Sequence, residues 1–253
     1  MTVNRGGDAT GLIQAILHSW GASITDADMT QLTFNSPGRG SRGLAHRGLR
    51  QRDVRRHAPG VLSWTDSSNN EAFLAGNIAY TSNAASIYAK AKADGNPIFE
   101  DIIVTDVPNG PANINQVGGG GSGQFYVPRG ARATDQAKDL ALHLLSPEVF
   151  LPISLVSAGL FLPCYADYLG MSEVQAAFEA DPNLARMAEQ QTGDYPGLSW
   201  PAPPNPFIDA VNAQAILTDM MAQTIANGLS AEEAVSQASD RMAQIGEEMG
   251  AFA

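Results

Sequence analysis

From Thr134 to the C-terminus the apolar residues recur almost only at helical spacing, whereas upstream short apolar runs alternate with helical stretches. Ala137, Leu140, Ala141 and Leu144 form one stripe, and Val235, Ala238, Met242, Ile245 and Met249 form another near the end. The second follows Ser230-Ala231-Glu232-Glu233, a capping box in which the serine and glutamate side chains each satisfy a backbone N–H of the other. Stripes of this kind belong to a packed core more often than to a partner-binding face. Upstream, Asp8 is expected to cap a helix over residues 9–20 that carries Leu12, Ile13, Ile16 and Leu17 and stops at Gly21. Ser68-Asn69-Asn70-Glu71 reads as another capping box, opening a short helix that ends at Gly76, and residues 84–93 read as a further helix. A short extended piece is expected near residues 32–34, and strands over residues 77–82, 102–104 and 125–127. Strands alternating with helices and followed by a helical tail give an α/β class. Residues 195–206 hold five prolines and read as a rigid extended connection.

Composition narrows the function. The chain has 253 residues, 44% of them hydrophobic, which is ample for one large domain or two lobes. A net charge of −11 disfavours a nucleic-acid partner, because phosphate contacts need an excess of Lys and Arg. No run reaches the roughly 18 apolar residues of a membrane span, so no membrane insertion is expected, and the first residues lack the apolar stretch of a signal peptide. Cys164 is the one cysteine, so no intramolecular disulfide forms, and it reads as a half-buried small hydrophobe.

The tract from Arg39 to Arg56 holds seven of the fifteen Lys and Arg residues, leaving eight against twenty-five acidic residues elsewhere. It has no helical or alternating apolar period. A basic arm and a solvated loop are two readings of it. A third is a local frameshift: if the arginines use CGN codons, Val54-Arg55-Arg56-His57 read one base later permits Tyr-Ala-Asp-Met, a sequence fit for an ordinary helix.

Catalytic and metal motifs are weak. Gly118 to Gly123 formally satisfies G-x-G-x-x-G but leads into Gln124-Phe125-Tyr126-Val127, read as a strand, where a dinucleotide site needs a helix. Such a run also serves as a flexible turn, lets backbone approach a ligand or absorbs hinge rotation. His18, His46, His57 and His143 are scattered without metal-ligand spacing, and His18 and His143 read as surface or packing residues. No cofactor or metal is expected. The segment from Ser63 to Asn83 says more. It places Trp64, the amides of Asn69 and Asn70, and the hydroxyls and amide of Tyr80, Thr81 and Asn83 within about twenty residues. Flat aromatic faces suit the C–H faces of sugar rings, and amides and hydroxyls both donate to and accept from sugar hydroxyls. The alternative is that Trp64 is core and the asparagines only cap.

At this segment the chain resembles the extracellular solute-binding proteins of ABC importers, in their carbohydrate-binding branch. Phe73-Leu74-Ala75-Gly76-Asn77-Ile78-Ala79 matches the family's F-x-x-G-x-x-A pattern. Val107-Pro108-Asn109-Gly110-Pro111 with the following glycine run resembles its return crossover. Leu144-Leu145-Ser146-Pro147-Glu148 and Gly159-Leu160-Phe161-Leu162-Pro163 resemble the helix end and turn that come next. The resemblance implies a periplasmic-binding-protein-like type II fold, here incomplete, as the C-terminal fragment of an exported protein. Residues 1–107 would form most of the second lobe, 108–123 the crossover and hinge, 124–165 the returning part of the first lobe, and 166–253 a helical region packing back on the lobes. It implies binding without catalysis: a monomer outside the cytoplasm that captures a sugar or polyol and docks on the importer's membrane subunits. By carry-over, Tyr80, Thr81, Asn83, Gly119, Gly120 and Gly121 would contact the ligand. Trp64, Asn70 and Trp200 are added on their chemistry. The competing readings are a hydrolase or nucleotide-dependent enzyme using residues 118–123, and a truncated remnant that binds nothing.

Overall fold

Helical periodicity builds nearly all of the regular structure. The computed structural model describes residues 7–36, 60–106, 110, 112, 125–192 and 197–252. Its helices are α1 (Gly7–Ser19), α2 (Ser68–Leu74), α3 (Ser86–Ala93), α4 (Thr134–Leu144), α5 (Pro147–Val156), α6 (Ala166–Leu169), α7 (Ser172–Ala180), α8 (Pro182–Thr192), α9 (Pro206–Ala213), α10 (Ile216–Ala226) and α11 (Ala231–Met249), with 3-10 turns at Val61–Ser63 and Pro97–Asp101. The tract from Arg39 to Arg56, and with it the frameshift reading, lies outside the described residues.

The chain divides into two compact units. Residues 1–82, 107–119 and 194–253 form the first, and residues 83–106 and 120–193 the second. This grouping differs from the sequence division at 107/108, 123/124 and 165/166, because residues 83–106 group with the later helices and residues 194–253 with α1.

The first unit is built on a continuous core. Ile13 and Leu17 of α1 pack with Phe207 and Val211 of α9, Leu217 and Met220 of α10, and Val235, Met242 and Ile245 of α11. The α11 stripe read from the sequence is thus buried from Val235 through Ile245, while Met249 is exposed. Its N-terminus is fixed by the expected capping box, with Ser230 Oγ accepting from the Glu233 N–H and the Glu233 carboxylate accepting from the Ser230 N–H. These bonds hold the Glu233 carboxyl below the usual glutamate range. Asn205 caps α9 by accepting from the Ile208 N–H, and Pro206 supplies the preset φ of a first helical position. The first helix begins at Gly7, one residue before the expected cap Asp8. It stops where Gly21 takes φ +83°, a left-handed conformation open to glycine.

The second unit holds two smaller cores. Tyr88, Ala158 and Met187 form one, with Phe99, Ile102 and Leu162 packed against it, and Leu151, Tyr168 and Val174 form the other. Buried Tyr88 donates its hydroxyl to Asp181 at 2.8 Å, and desolvation followed by that bond pushes its pKa up to about 12. The α4 stripe does not enter a core. Leu140 and Leu144 are exposed, and α4 has no fully buried residue.

The strand expectations are corrected. Among the described residues the β-structure is a single antiparallel bridge, Thr25 to Leu32. Residues 77–82 and 125–127 are irregular. Ile102–Val104 is irregular for a visible reason: its backbone groups are taken by a side chain. Asn183 Nδ2 donates to the Ile102 carbonyl at 2.8 Å, and Asn183 Oδ1 accepts from the Val104 N–H at 2.9 Å. One amide of α8 thus stands where a neighbouring strand would be. Farther along, Gln190 donates to the Thr105 carbonyl, and Arg186 pairs with Asp106. An α/β pattern in sequence became, in the described residues, a helical arrangement with pinned extended segments.

Candidate functional site

The segment from Gly60 to Ser82 is organised by local polar bonds. After the 3-10 turn Trp64 turns extended (φ −68°, ψ 143°) and is half-buried. Next to it, the Thr65 N–H donates to Ser68 Oγ at 3.0 Å, and the Thr65 hydroxyl lies 3.2 Å from the same oxygen. These bonds fold the loop onto the start of α2 and draw Ser68 away from capping. The expected box from Ser68 to Glu71 is therefore not formed: Ser67 occupies the cap position without a side-chain cap bond, and its hydroxyl donates to Glu71 at 3.4 Å.

Two amides follow on α2. Asn69 is buried and donates through Nδ2 to Thr81 Oγ1 at 3.3 Å, which ties the later hydroxyl-rich stretch to the helix. Asn70 is half-buried, yet its Oδ1 is sealed from solvent and has no hydrogen-bond partner among the described residues. A buried carbonyl oxygen in that state costs stability until a donor reaches it. Tyr80 is 56% exposed, and partial desolvation raises the pKa of its hydroxyl. Trp64, Asn70, Tyr80 and Thr81 thus belong to one locally braced segment. Asn83 falls in the other unit and donates to Ser86 Oγ at 3.1 Å at the start of α3. Gly119, Gly120 and Gly121 lie outside the described residues.

Trp200 sits in a different part of the first unit. It is half-buried and meets the ring of His18 edge-on, with centroids 5.3 Å apart. His18 is 2% exposed, a packing residue as the sequence reading had it. One turn earlier on α1, Gln14 is 1% exposed and donates through Nε2 to Asn212 Oδ1 at 3.2 Å and to the Leu198 carbonyl at 3.4 Å. Gln14 and Asn212 escaped the sequence reading. Polar residues four apart on the face shared with Ile13 and Leu17 were the signal available. Close by, the Ala112 N–H donates to the Ser19 carbonyl at 3.1 Å, and Gly110 packs so tightly that a Cβ there would stand 2.3 Å from the Ser19 oxygen.

Among the described residues no group of three His, Cys, Asp or Glu side chains stands ready for a metal ion. Residues 125–128 are irregular, and the first described helix after the glycine run begins only at Thr134.

Comparison with known proteins gives one result. The family model described as bacterial extracellular solute-binding protein matches residues 5–186, a span that contains Trp64, Asn70, Tyr80, Thr81 and Asn83 but not Trp200. No curated protein and no solved structure matches the chain. The match covers well over half of the 253 residues and implies a periplasmic-binding-protein-like fold for the helices and pinned segments described above. The chain belongs to the bacterial extracellular solute-binding protein family.

Proposed function

We propose that this member of the family binds a sugar or polyol, without catalysis, as the receptor component of an ABC importer. The observation that carries the reading is Asn70: an amide oxygen sealed from water, without a partner among the described residues, a few residues from a half-buried tryptophan. Trp64 offers an apolar face to a sugar ring, Asn70 an acceptor for a ring hydroxyl, and Thr81 and Tyr80 further hydroxyls. Asn83, Trp200 and the backbone N–H groups of Gly119, Gly120 and Gly121 remain part of the proposed contact set. Residues 108–123 serve as the hinge of the receptor. It works outside the cytoplasmic membrane as a monomer and hands its solute to the importer's membrane subunits.

The surface of the second unit supports reading the chain as the C-terminal part of a longer receptor. Leu142 on α4 is 64% exposed and Val156 on α5 is 84% exposed, with Ile153 of α5 also open to solvent. Apolar residues gathered on one pair of helices mark a face that another part of a protein covers.

A thermal-shift panel of hexoses, disaccharides and polyols tests the reading, because a ligand that binds only the native state raises its melting temperature. A rise of several degrees with at least one member is expected. A flat response across the panel, with titration calorimetry also silent, would reject sugar binding.

A further inference from the structure

The turn that carries Trp200 is held by side chains from two helices of the first unit. Gln14 and His18 stand one turn apart on α1, on the side that also carries Ile13 and Leu17, and both are almost wholly buried. The Gln14 amide donates to the Leu198 carbonyl and to Asn212 Oδ1, so one NH2 group joins the turn, α1 and α9. Two residues beyond Leu198, the Trp200 N–H donates to the Gly197 carbonyl at 3.2 Å, and its ring meets His18 edge-on. Ser199 is buried between exposed Leu198 and half-buried Trp200. The turn is thus fixed from its inner side while part of the indole stays open.

Packing alone does not account for a glutamine at this place. A methionine or leucine would fill the same core position without any polar atom to desolvate. The Gln14 oxygen, Oε1, is sealed from solvent and has no partner among the described residues, so the residue is held at a cost. What it contributes lies on its donor side. Reversing the amide would set its oxygen against the Leu198 carbonyl, so a single orientation serves the turn.

We infer that Gln14 is a positioning residue for ligand binding: together with the edge-on contact of His18, it sets the angle at which Trp200 presents its indole to the solute. This rests on the reading of Trp200 as a ligand contact. Stacking of a sugar ring on an aromatic face depends on that angle. An indole fixed before the solute arrives has little rotamer freedom left to lose on binding.

Fluorine NMR of the full chain labelled with 5-fluorotryptophan reads the ring directly. The chain has three tryptophans, and Trp200→Leu identifies the signal that matters. Gln14→Met keeps the side-chain length and removes the donor. It should shift or broaden the Trp200 signal and weaken binding of the hexose with the largest thermal shift by about three- to tenfold in titration calorimetry. Thr218→Val removes another buried hydrogen bond of the same unit, the one to the Ala215 carbonyl, and should leave both readings as in the native chain. In a Trp200→Leu background Gln14→Met should cost no further affinity, because it acts through the ring. Circular dichroism confirms that each variant is folded. An unmoved Trp200 signal in Gln14→Met, or a loss of affinity just as large without the indole, would overturn the inference while leaving sugar binding standing. A native chain silent toward every sugar and polyol would reject the underlying reading, and the inference with it.

Discussion

Helix α11 of the first unit and helix α4 of the second carry apolar stripes of the same kind in sequence, and they meet opposite fates. Met242 and Ile245 of α11 are fully enclosed by α9, α10 and α1, whereas Leu140 on α4 is 56% exposed and Leu142 beside it more so. Periodicity shows that a segment is a helix with an apolar face. It does not show what that face meets. For α11 the partners lie within the preceding 45 residues, as α9 and α10, and α1 completes the layer. For α4 the described residues supply no such cover, and its face stays open.

The contrast makes a large and direct prediction. Met242→Ala should destabilise the protein by about 2–5 kcal/mol, the range for emptying a packed core position. Leu140→Ala should change stability by no more than about 0.5 kcal/mol, as for a surface position. Urea denaturation followed by circular dichroism measures both. A Leu140→Ala loss as large as that of Met242→Ala would erase the distinction between the two helices.

A smaller effect sharpens how the second unit holds itself together. Asn183→Leu removes both bonds to residues 102 and 104 and leaves a partly buried carbonyl and N–H unsatisfied, at a cost of about 1–3 kcal/mol. Exchange of the Val104 amide with solvent should accelerate at least tenfold. Unchanged exchange would mean that the extended segment is held by something other than Asn183.

The smallest effect belongs to the first unit's best-defined helix start. Ser230→Ala should cost about 1 kcal/mol through loss of the cap. The pH dependence follows from the lowered Glu233 pKa. A carboxyl whose folded pKa lies below its unfolded value contributes stability above the unfolded value, near 4.5, and loses it as pH falls through the folded one. The penalty of Ser230→Ala should therefore shrink as the solution is acidified through that window. A penalty constant from neutral pH to pH 3 would contradict the reciprocal cap.

What was legible in the sequence was local. The capping box at Ser230, the stop at Gly21 and the α11 stripe all depend on residues within a turn or two of one another. The predicted strand at residues 102–104 failed because its bonding partner, Asn183, comes about eighty residues later and is a side chain. The Ser68 box failed for a reason just as physical: Thr65, three residues upstream, competes for the same hydroxyl. In the site, the segment from Trp64 to Thr81 stood out by composition, and the family match includes it. The sealed state of Asn70 Oδ1 and the packing of His18 against Trp200 depend on three-dimensional neighbours and could not be read from spacing.

The central claim is capture of a sugar or polyol by the segment that holds Asn70. Calorimetric titration of the hexose giving the largest thermal shift, run on the native chain and on folded Asn70→Leu, tests it most directly. Saturable binding to the native chain that weakens by about tenfold or more in the variant is the predicted result, the size expected when one hydrogen bond from the ligand loses its acceptor. Equal affinity in the two proteins, or no heat from the native chain with any sugar or polyol, would contradict the account.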